Sequence, residues 1–300
     1  MTEQHESFRA MDTDIDLLII EERQPFDAAL SIRLLFEQQE ERFSRFRTGS
    51  LLTRLNRGEA ISDARFAAAC ALALRAHEVT GGFYNPMVLP ALERAGYSKT
   101  FREVSGGDPQ PRAVPDPHDS LVIEGNNVRL RTGGLDLGGI VKGWTVDLGI
   151  ELLAPRYPNT FLNAGGDIRC SGTDDAGDGW LIAIDNSTDE GTVWDGALYE
   201  AVATSSTRKR RWRTDSGKVA HHLIDPRTGM PADSPFEQVT AWAPECWRAE
   251  TWAKAVLIGG EAAATAAAEA GHRILAIDVA GKVHEWGQLA SRSTRGQGVS

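Results

Sequence analysis

The order of segments constrains this chain most, because it lacks the strand–helix–strand rhythm of a parallel sheet. DIDLLII (14–20) alternates and then runs apolar, which predicts a strand. From Phe26 to Phe46 the pattern predicts a helix, with Phe26, Leu30, Leu34 and Phe36 inward and Glu and Gln outward; RTGS (47–50) ends it. A second helix is expected near 63–79, stopped by the glycines of TGG (80–82). LVIEGNNVRLR (121–131) predicts a hairpin across Gly125-Asn126-Asn127, and a helix follows LDLGGIVKGW to about Leu153. FLNAGGDIRCSG (161–172) and LIAIDNS (181–187) read as strand, glycine turn, strand. Further strands are expected at 197–204, 218–224, 237–243, 273–278 and 282–286, with helices near 247–258 and 261–271. Long helices among antiparallel-looking strands predict an α+β fold of mixed or antiparallel sheets. No fixed-period repeat is visible. The 300 residues are expected to form one domain, 1–300, whose best internal boundary is the Pro-, Gly- and Asp-rich loop 104–118. All eight Trp follow residue 140, so the two halves differ in texture.

A net charge of −10 disfavours sequence-blind nucleic-acid binding, which depends on neutralising phosphates with Lys and Arg. It leaves room for a local basic cradle. No run of 18 apolar residues exists, so no membrane span is expected. MTEQHESFRAMDTD has no basic n-region or apolar h-region, and a cytoplasmic location is expected. Cys70, Cys170 and Cys246 are odd in number and far apart, so they read as reduced thiols.

Five stretches could carry chemistry. In Leu135-Asp136-Leu137-Gly138-Gly139-Ile140-Val141-Lys142-Gly143-Trp144 a strand delivers Asp136, and glycines let the backbone approach a ligand. Lys142 stands at a helix start, where exposed N–H groups attract phosphate. The stretch is neither a P-loop nor a dinucleotide fingerprint, and a tight turn with a surface Lys explains it as well. Asn163-Ala164-Gly165-Gly166-Asp167 reads as a turn in which the Asp bonds backbone N–H groups, or as a backbone wall beside a ligand. In His221-His222-Leu223-Ile224-Asp225-Pro226-Arg227-Thr228-Gly229, His222 and Ile224 share one strand face before a turn. His222 there is a candidate general base, or one of a surface pair without a role. Glu250 and Lys254 are one helical turn apart, as in an ordinary surface ion pair. Phe83 and Tyr84, after Thr80-Gly81-Gly82, suit stacking on a planar ring or core packing.

Taken in order, these stretches resemble the ApbE-type flavin transferase family, the FAD:protein FMN transferases, from about Met11 to Gly260. The family pattern DLGGIAKG, NAGGD, ATSG, HxxDPRTG and ADxxAT has counterparts in LDLGGIVKGW, FLNAGGDIRCSG, VATSSTRKRRW, HHLIDPRTGMPA and AETWAK, in that order. The resemblance implies an enzyme that splits the FAD pyrophosphate, moves FMN onto a Thr or Ser hydroxyl of an acceptor protein and releases AMP. It implies a two-subdomain fold with the flavin in the cleft between, and Mg²⁺ bridging phosphate oxygens. Met11, Phe46, Phe83, Tyr84, Asn85, Asp136, Lys142 and Ile224 would contact FAD. The Gly139 carbonyl, Glu250 and position 254 would face the metal, and His222 would be the catalytic base.

Departures from the family pattern cluster at this site. Met-Gly-Thr is Met11-Asp12-Thr13, Ser-Glu-Leu is Ser50-Leu51-Leu52, and Phe-Asp-Pro-Thr is Tyr84-Asn85-Pro86-Met87. On the metal helix Asp becomes Glu250 and Thr becomes Lys254. An ammonium has no lone pair for Mg²⁺ and repels it. Lys254 therefore replaces the cation, or swings to solvent and leaves a weaker metal site. Two further functions follow: a flavin-binding protein without transfer, or an FAD pyrophosphatase giving FMN and AMP.

Overall fold

The structure is a computed structural model that describes residues 2–21, 27–104, 106–186, 191–208 and 210–288. Eight strands form one sheet whose spatial order is the chain order: β1 (Thr2–Ala10), β2 (Thr13–Glu21), β3 (Thr160–Ala164), β4 (Asp167–Ser171), β5 (Ala201–Ser206), β6 (Phe236–Ala243), β7 (Arg273–Asp278) and β8 (Val283–Trp286). Every neighbouring pair is antiparallel. The rest of the described chain leaves this meander and returns to it.

Between β2 and β3 run helices α1 (Ala28–Phe43), α2 (Ala64–Val79) and α3 (Val141–Leu153). The same excursion holds a small sheet of Ile61–Ser62, Leu121–Glu124 and Asn127–Leu130. A hairpin of Trp180–Asp185 and Thr192–Leu198 separates β4 from β5. Two short strand pairs, Arg211–Arg213 with Val219–His221 and Ile224–Asp225 with Met230–Pro231, separate β5 from β6. Helix α4 (Cys246–Glu269) links β6 to β7.

The sheet is covered on both faces. Ile15, Leu17, Ile19 and Leu162 pack against Ile32 and Phe36 of α1 and Val146 and Ile150 of α3. Val239, Ala241, Ile274 and Ala276 pack against Trp252 and Val256 of α4. On the other face Ile20, Val202, Trp242 and Leu275 meet Trp180, Ile182 and Trp194 of the hairpin. Burial on both sides is why β6 is buried along its whole length rather than alternating.

The α+β expectation holds. Four expectations are corrected in detail. The buried stripe of α1 is Ala28, Ile32, Phe36, Gln39 and Phe43, while Leu30 and Leu34 are exposed. The sheet meets the nearly opposite face, two residues along from the one that these leucines mark; Phe26 lies outside the described residues. The two helices expected after 247 are one helix with a break at Gly260, whose φ of 63° suits glycine. The 197–204 segment holds the end of one strand and most of another. The strand expected over 218–224 is interrupted after His221.

The loop 104–118 is hydrogen-bonded to the excursion between β5 and β6. Arg112 N–H donates to the Thr228 carbonyl and Val114 N–H to that of Pro226, both at 2.8 Å. Gly107 N–H donates to Asp215 Oδ2 at 2.9 Å. Among the described residues no helix is long and apolar enough to cross a membrane.

Candidate active site

The DLGG stretch is held in place before α3 begins. Asn56 clamps Leu135, accepting from its N–H at 2.7 Å and donating to its carbonyl at 2.9 Å. Asp136 Oδ1 accepts from Gly138 N–H at 2.8 Å, and Oδ2 pairs with Arg45 Nε at 3.0 Å. The start of α3 has no side-chain cap, because Ile140 occupies the cap position. The N–H of Gly143 donates instead to Glu250 Oε2 of α4, at 2.9 Å. Glycine is required there: a Cβ on residue 143 would lie 2.8 Å from the Cys246 carbonyl oxygen. The two helices therefore approach backbone to side chain, and α4 delivers Glu250 to the first turn of α3.

Four charged side chains meet at this point. Lys142 Nζ bonds to Asp167 and lies 3.8 Å from Glu250 Oε1. Lys254 Nζ lies 3.0 Å from the same Glu250 oxygen. The Glu250 side chain is fully buried, and those of Asp167, Lys254 and Lys142 are 4%, 14% and 20% exposed. Burial disfavours each charge, yet the pairs outweigh it for two groups. Lys142 rises above the ordinary lysine value under Asp167 and Glu250. Glu250 falls below the ordinary carboxylate value under Lys254, Lys142 and the Gly143 N–H. Asp167 is raised by burial, with Lys142 opposing.

This arrangement corrects two expectations. Among the described residues the Asp167 carboxylate bonds no backbone N–H; it pairs with Lys142, and Asn163 Oδ1 takes the turn N–H of Gly166 at 2.8 Å. Glu250–Lys254 is not a surface pair but part of a buried cluster. The surroundings do not fit a divalent cation. Among the described residues no three His, Cys, Asp or Glu side chains converge as metal ligands. One Glu250 oxygen accepts from a backbone N–H and the other faces two ammonium groups. The methylenes of Lys254 pack 3.4–3.5 Å from where a Cβ of Gly139 would stand, so its chain covers that backbone.

The two histidines of the β5–β6 excursion differ. His221 Nε2 meets the Ala232 carbonyl at 3.0 Å, and its Nδ1 accepts from Leu223 N–H, so its ring is structural. His222 Nδ1 is buried and has no partner among the described residues. Burial, with Arg210, His221 and Lys254 nearby, holds its pKa well below 6.5, which keeps the ring neutral. The expected shared face with Ile224 is lost where the strand breaks; Ile224 instead packs with Trp212 and Ala220.

The other expected flavin contacts fall into separate settings. Tyr84 is buried against the Gly139 backbone, and its hydroxyl has no partner among the described residues. Met11, at φ 51° in the β1–β2 turn, packs on both the α1 and α2 cores. Phe46 is partly exposed and lies under the Arg45 guanidinium, 4.3 Å from its ring centre, so it adjoins Asp136 through Arg45. Asn85 accepts from Met87 N–H and donates to the Pro115 carbonyl, which caps the following turn. Phe83 lies under Arg227 and against Gly259 of α4. The structure thus gathers Asp136, Gly139, Lys142, Tyr84, Glu250 and Lys254, with His222 within the field of Lys254.

Sequence reasoning passed over Arg45, Arg210 and the pairing role of Asp167. Arg210 acts electrostatically on both Lys142 and His222, and its guanidinium makes no ion pair among the described residues. The cluster of arginines in TRKRRWR was its only signal.

The chain is similar along most of its length to a known class of protein. The ApbE family profile matches residues 11–277, and the chain belongs to that family. The FAD:protein FMN transferase of Vibrio cholerae serotype O1 is 29% identical over 261 residues, which covers 79% of this chain and 74% of that protein. The FAD:protein FMN transferase of Haemophilus influenzae is 26% identical, with the same coverage. The crystal structure of the ApbE protein from Thermotoga maritima superposes with a TM-score of 0.85 at 21% identity, over 96% of this chain and 97% of that one. The flavin transferase ApbE from Vibrio cholerae gives 0.78 at 24% identity, over 95% and 96%.

Proposed function

We propose that this chain is an FAD:protein FMN transferase. The hydroxyl of an acceptor Thr or Ser attacks the FMN-side phosphorus of FAD. The bridging P–O bond breaks, AMP leaves with the bridging oxygen, and the hydroxyl proton goes to His222. The observation that carries this reading is His222, whose buried Nδ1 has no partner among the described residues and whose pKa is held well below the ordinary histidine value by burial, with the charges of Arg210 and Lys254 adding to it. A base must be unprotonated to act, and pyrophosphate needs cationic neighbours, so one location meets both demands.

In this reading the flavin nucleotide lies along the DLGG stretch. Met11, Phe46, Phe83, Tyr84, Asn85, Asp136 and Ile224 line its path, and Lys142 faces phosphate. Asp136 and Asn85 keep part of their bonding capacity for the protein itself, through Arg45, Gly138, Met87 and Pro115. The expected Mg²⁺ at Gly139, Glu250 and position 254 finds a donor set already bonded to ammonium groups, and no step is assigned to it.

The test is AMP release from FAD, followed by chromatography, together with flavin fluorescence of the co-expressed acceptor on denaturing gels. AMP release with a fluorescent acceptor, both lost in His222→Ala, is the expected result. AMP with free FMN and no labelled acceptor would replace transfer by hydrolysis. FAD binding without AMP, with an acceptor present, would make the chain a flavin-binding protein.

A further inference from the structure

The buried cluster of Lys142, Asp167, Glu250 and Lys254 sets two positive charges against two negative ones. It is therefore complete in charge without any added ion. Both oxygens of Glu250 are engaged, one by Gly143 N–H and one by Lys254. A magnesium ion demands near-octahedral oxygen ligands at close range. To reach Glu250 it would have to displace the Lys254 ammonium and then sit beside both lysines. The Lys254 head donates to Glu250 Oε1 at 3.0 Å and to the Glu250 backbone carbonyl at 3.4 Å, and an ammonium carries three donors, so one donor remains for a second anion. Its stem lies over the Gly139 backbone, which has no side chain to push it away.

We infer that this chain carries its site cation covalently: the Lys254 ammonium, anchored by Glu250, takes the place of a divalent cation and holds the nucleotide pyrophosphate directly. The inference rests on the flavin dinucleotide reading above and deepens it, because it makes nucleotide binding independent of metal. It also predicts a trade. An ammonium supplies one charge and no fixed bridging geometry, whereas a bound divalent ion clamps two phosphate oxygens. Replacing Lys254 by a neutral oxygen ligand should therefore create a metal requirement that the natural chain lacks.

Two measurements test this on the full chain. The first is FAD affinity, from quenching of flavin fluorescence, with EDTA and then with Mg²⁺. The natural chain should bind FAD equally in both. Lys254→Thr should lose about tenfold or more in EDTA, the loss expected for one charge-assisted contact, and regain affinity with Mg²⁺. Lys254→Met, which removes the charge and adds no ligand, should stay weak in both. The second is titration of the nucleotide-free protein with Mn²⁺, with free Mn²⁺ read by its paramagnetic resonance signal. The natural chain should bind none stoichiometrically, and Lys254→Thr should bind one.

FAD binding by the natural chain that disappears in EDTA overturns the inference. So does a stoichiometric Mn²⁺ site in the natural chain, or the absence of one in Lys254→Thr. Failure of every form to bind FAD under either condition overturns the flavin reading instead; the Mn²⁺ titration then still decides whether Lys254 stands in a cation site. If neither variant folds, the EDTA comparison and the Mn²⁺ titration of the natural chain decide.

Discussion

Asp147 on α3 accepts hydrogen bonds from the backbone N–H groups of Cys246 and Trp247, at 2.8 and 3.0 Å, so one helix caps the start of another. The residue before α4, Glu245, supplies no side-chain cap of its own. Arg169 Nη1 adds a third bond to the same carboxylate at 2.9 Å. Asp147→Ala would leave two helix N–H groups and a guanidinium without this partner in a buried setting. The expected loss is about 2–3 kcal/mol, the sum of a missing cap and stranded buried donors. Asp147→Asn keeps an acceptor and should lose less. Urea midpoints of the three forms check this, and a loss below about 0.5 kcal/mol for Ala would show that α4 finds its cap elsewhere.

The same helix pair makes a second prediction at Gly143. Alanine is favoured over glycine inside a helix by about 1 kcal/mol, so an exposed site would gain from the change. Here the new Cβ would lie 2.8 Å from the Cys246 carbonyl oxygen and 2.9 Å from Glu250 Oε2. Separating α3 from α4 costs about 1–3 kcal/mol by overpacking and weakens the Gly143–Glu250 bond. Gly143→Ala should therefore be less stable than the natural chain. A higher thermal midpoint would mean the helices have slack that the distances deny.

Both relationships show where the sequence is legible and where it is not. The helix after DLGG and the strand pair around NAGGD follow from local chemistry: glycines at turns, a Lys at a helix start, alternation in strands; the strand expected to deliver Asp136 does not form, and Asn56 holds that extended segment instead. The meeting of Lys142, Asp167, Glu250 and Lys254 does not. The spacing of Glu250 and Lys254 shows that they pair, but their burial depends on α3 and β4 arriving from distant chain positions. Leu30 and Leu34 misled for a related reason, since the apolar stripe of α1 is decided by which face the sheet meets. Strand β1 is hidden in TEQHESFRA because an edge strand tolerates charge on both sides. Asp136 looked free for a ligand because Arg45, which pairs with it, lies beyond any local window.

The β1–β2 turn places Met11 and Asp12 both at positive φ, 51° and 58°. Tight hairpin turns of this kind favour Asn or Asp followed by Gly, and the second position here is Asp. Asp tolerates the left-handed region better than most residues but less well than Gly. Its ion pair with Arg9 is half exposed and worth little. Asp12→Gly should thus stabilise the chain by about 0.5–1 kcal/mol, most of it from relieved strain. Thermal unfolding of the variant reads this directly; a drop in midpoint would give the Arg9 contact more weight than its exposure suggests.

Buried histidines and one buried carboxyl push the response of stability to mild acid in opposite directions. Burial is the leading cause that holds His221, His222 and His272 below the ordinary value of 6.5. For His222, Arg210, His221 and Lys254 add to it. Each ring is neutral in the fold and takes a proton near pH 6.5 once unfolded. Below that pH the unfolded state binds more protons, so stability is fully present above about 6.5 and declines as pH falls toward the folded values. Each unit of depression is worth about 1.4 kcal/mol. Glu250, whose folded pKa is depressed below 4.5, contributes in the same direction only at lower pH. Asp147, whose carboxyl burial pushes up to about 7, takes its proton in the fold over the same range and adds stability as pH falls, so the histidine loss between about pH 6.5 and 5.5 should show most plainly in urea midpoints of Asp147→Asn, where His272→Gln should reduce the slope. Because the same depression keeps His222 unprotonated, its rate as a base should stay level through pH 6.5 where an ordinary histidine would lose half. A midpoint of Asp147→Asn that stays flat over this range, or a transfer rate of the natural chain that halves near 6.5, would mean that these rings are solvated as they would be in a free peptide.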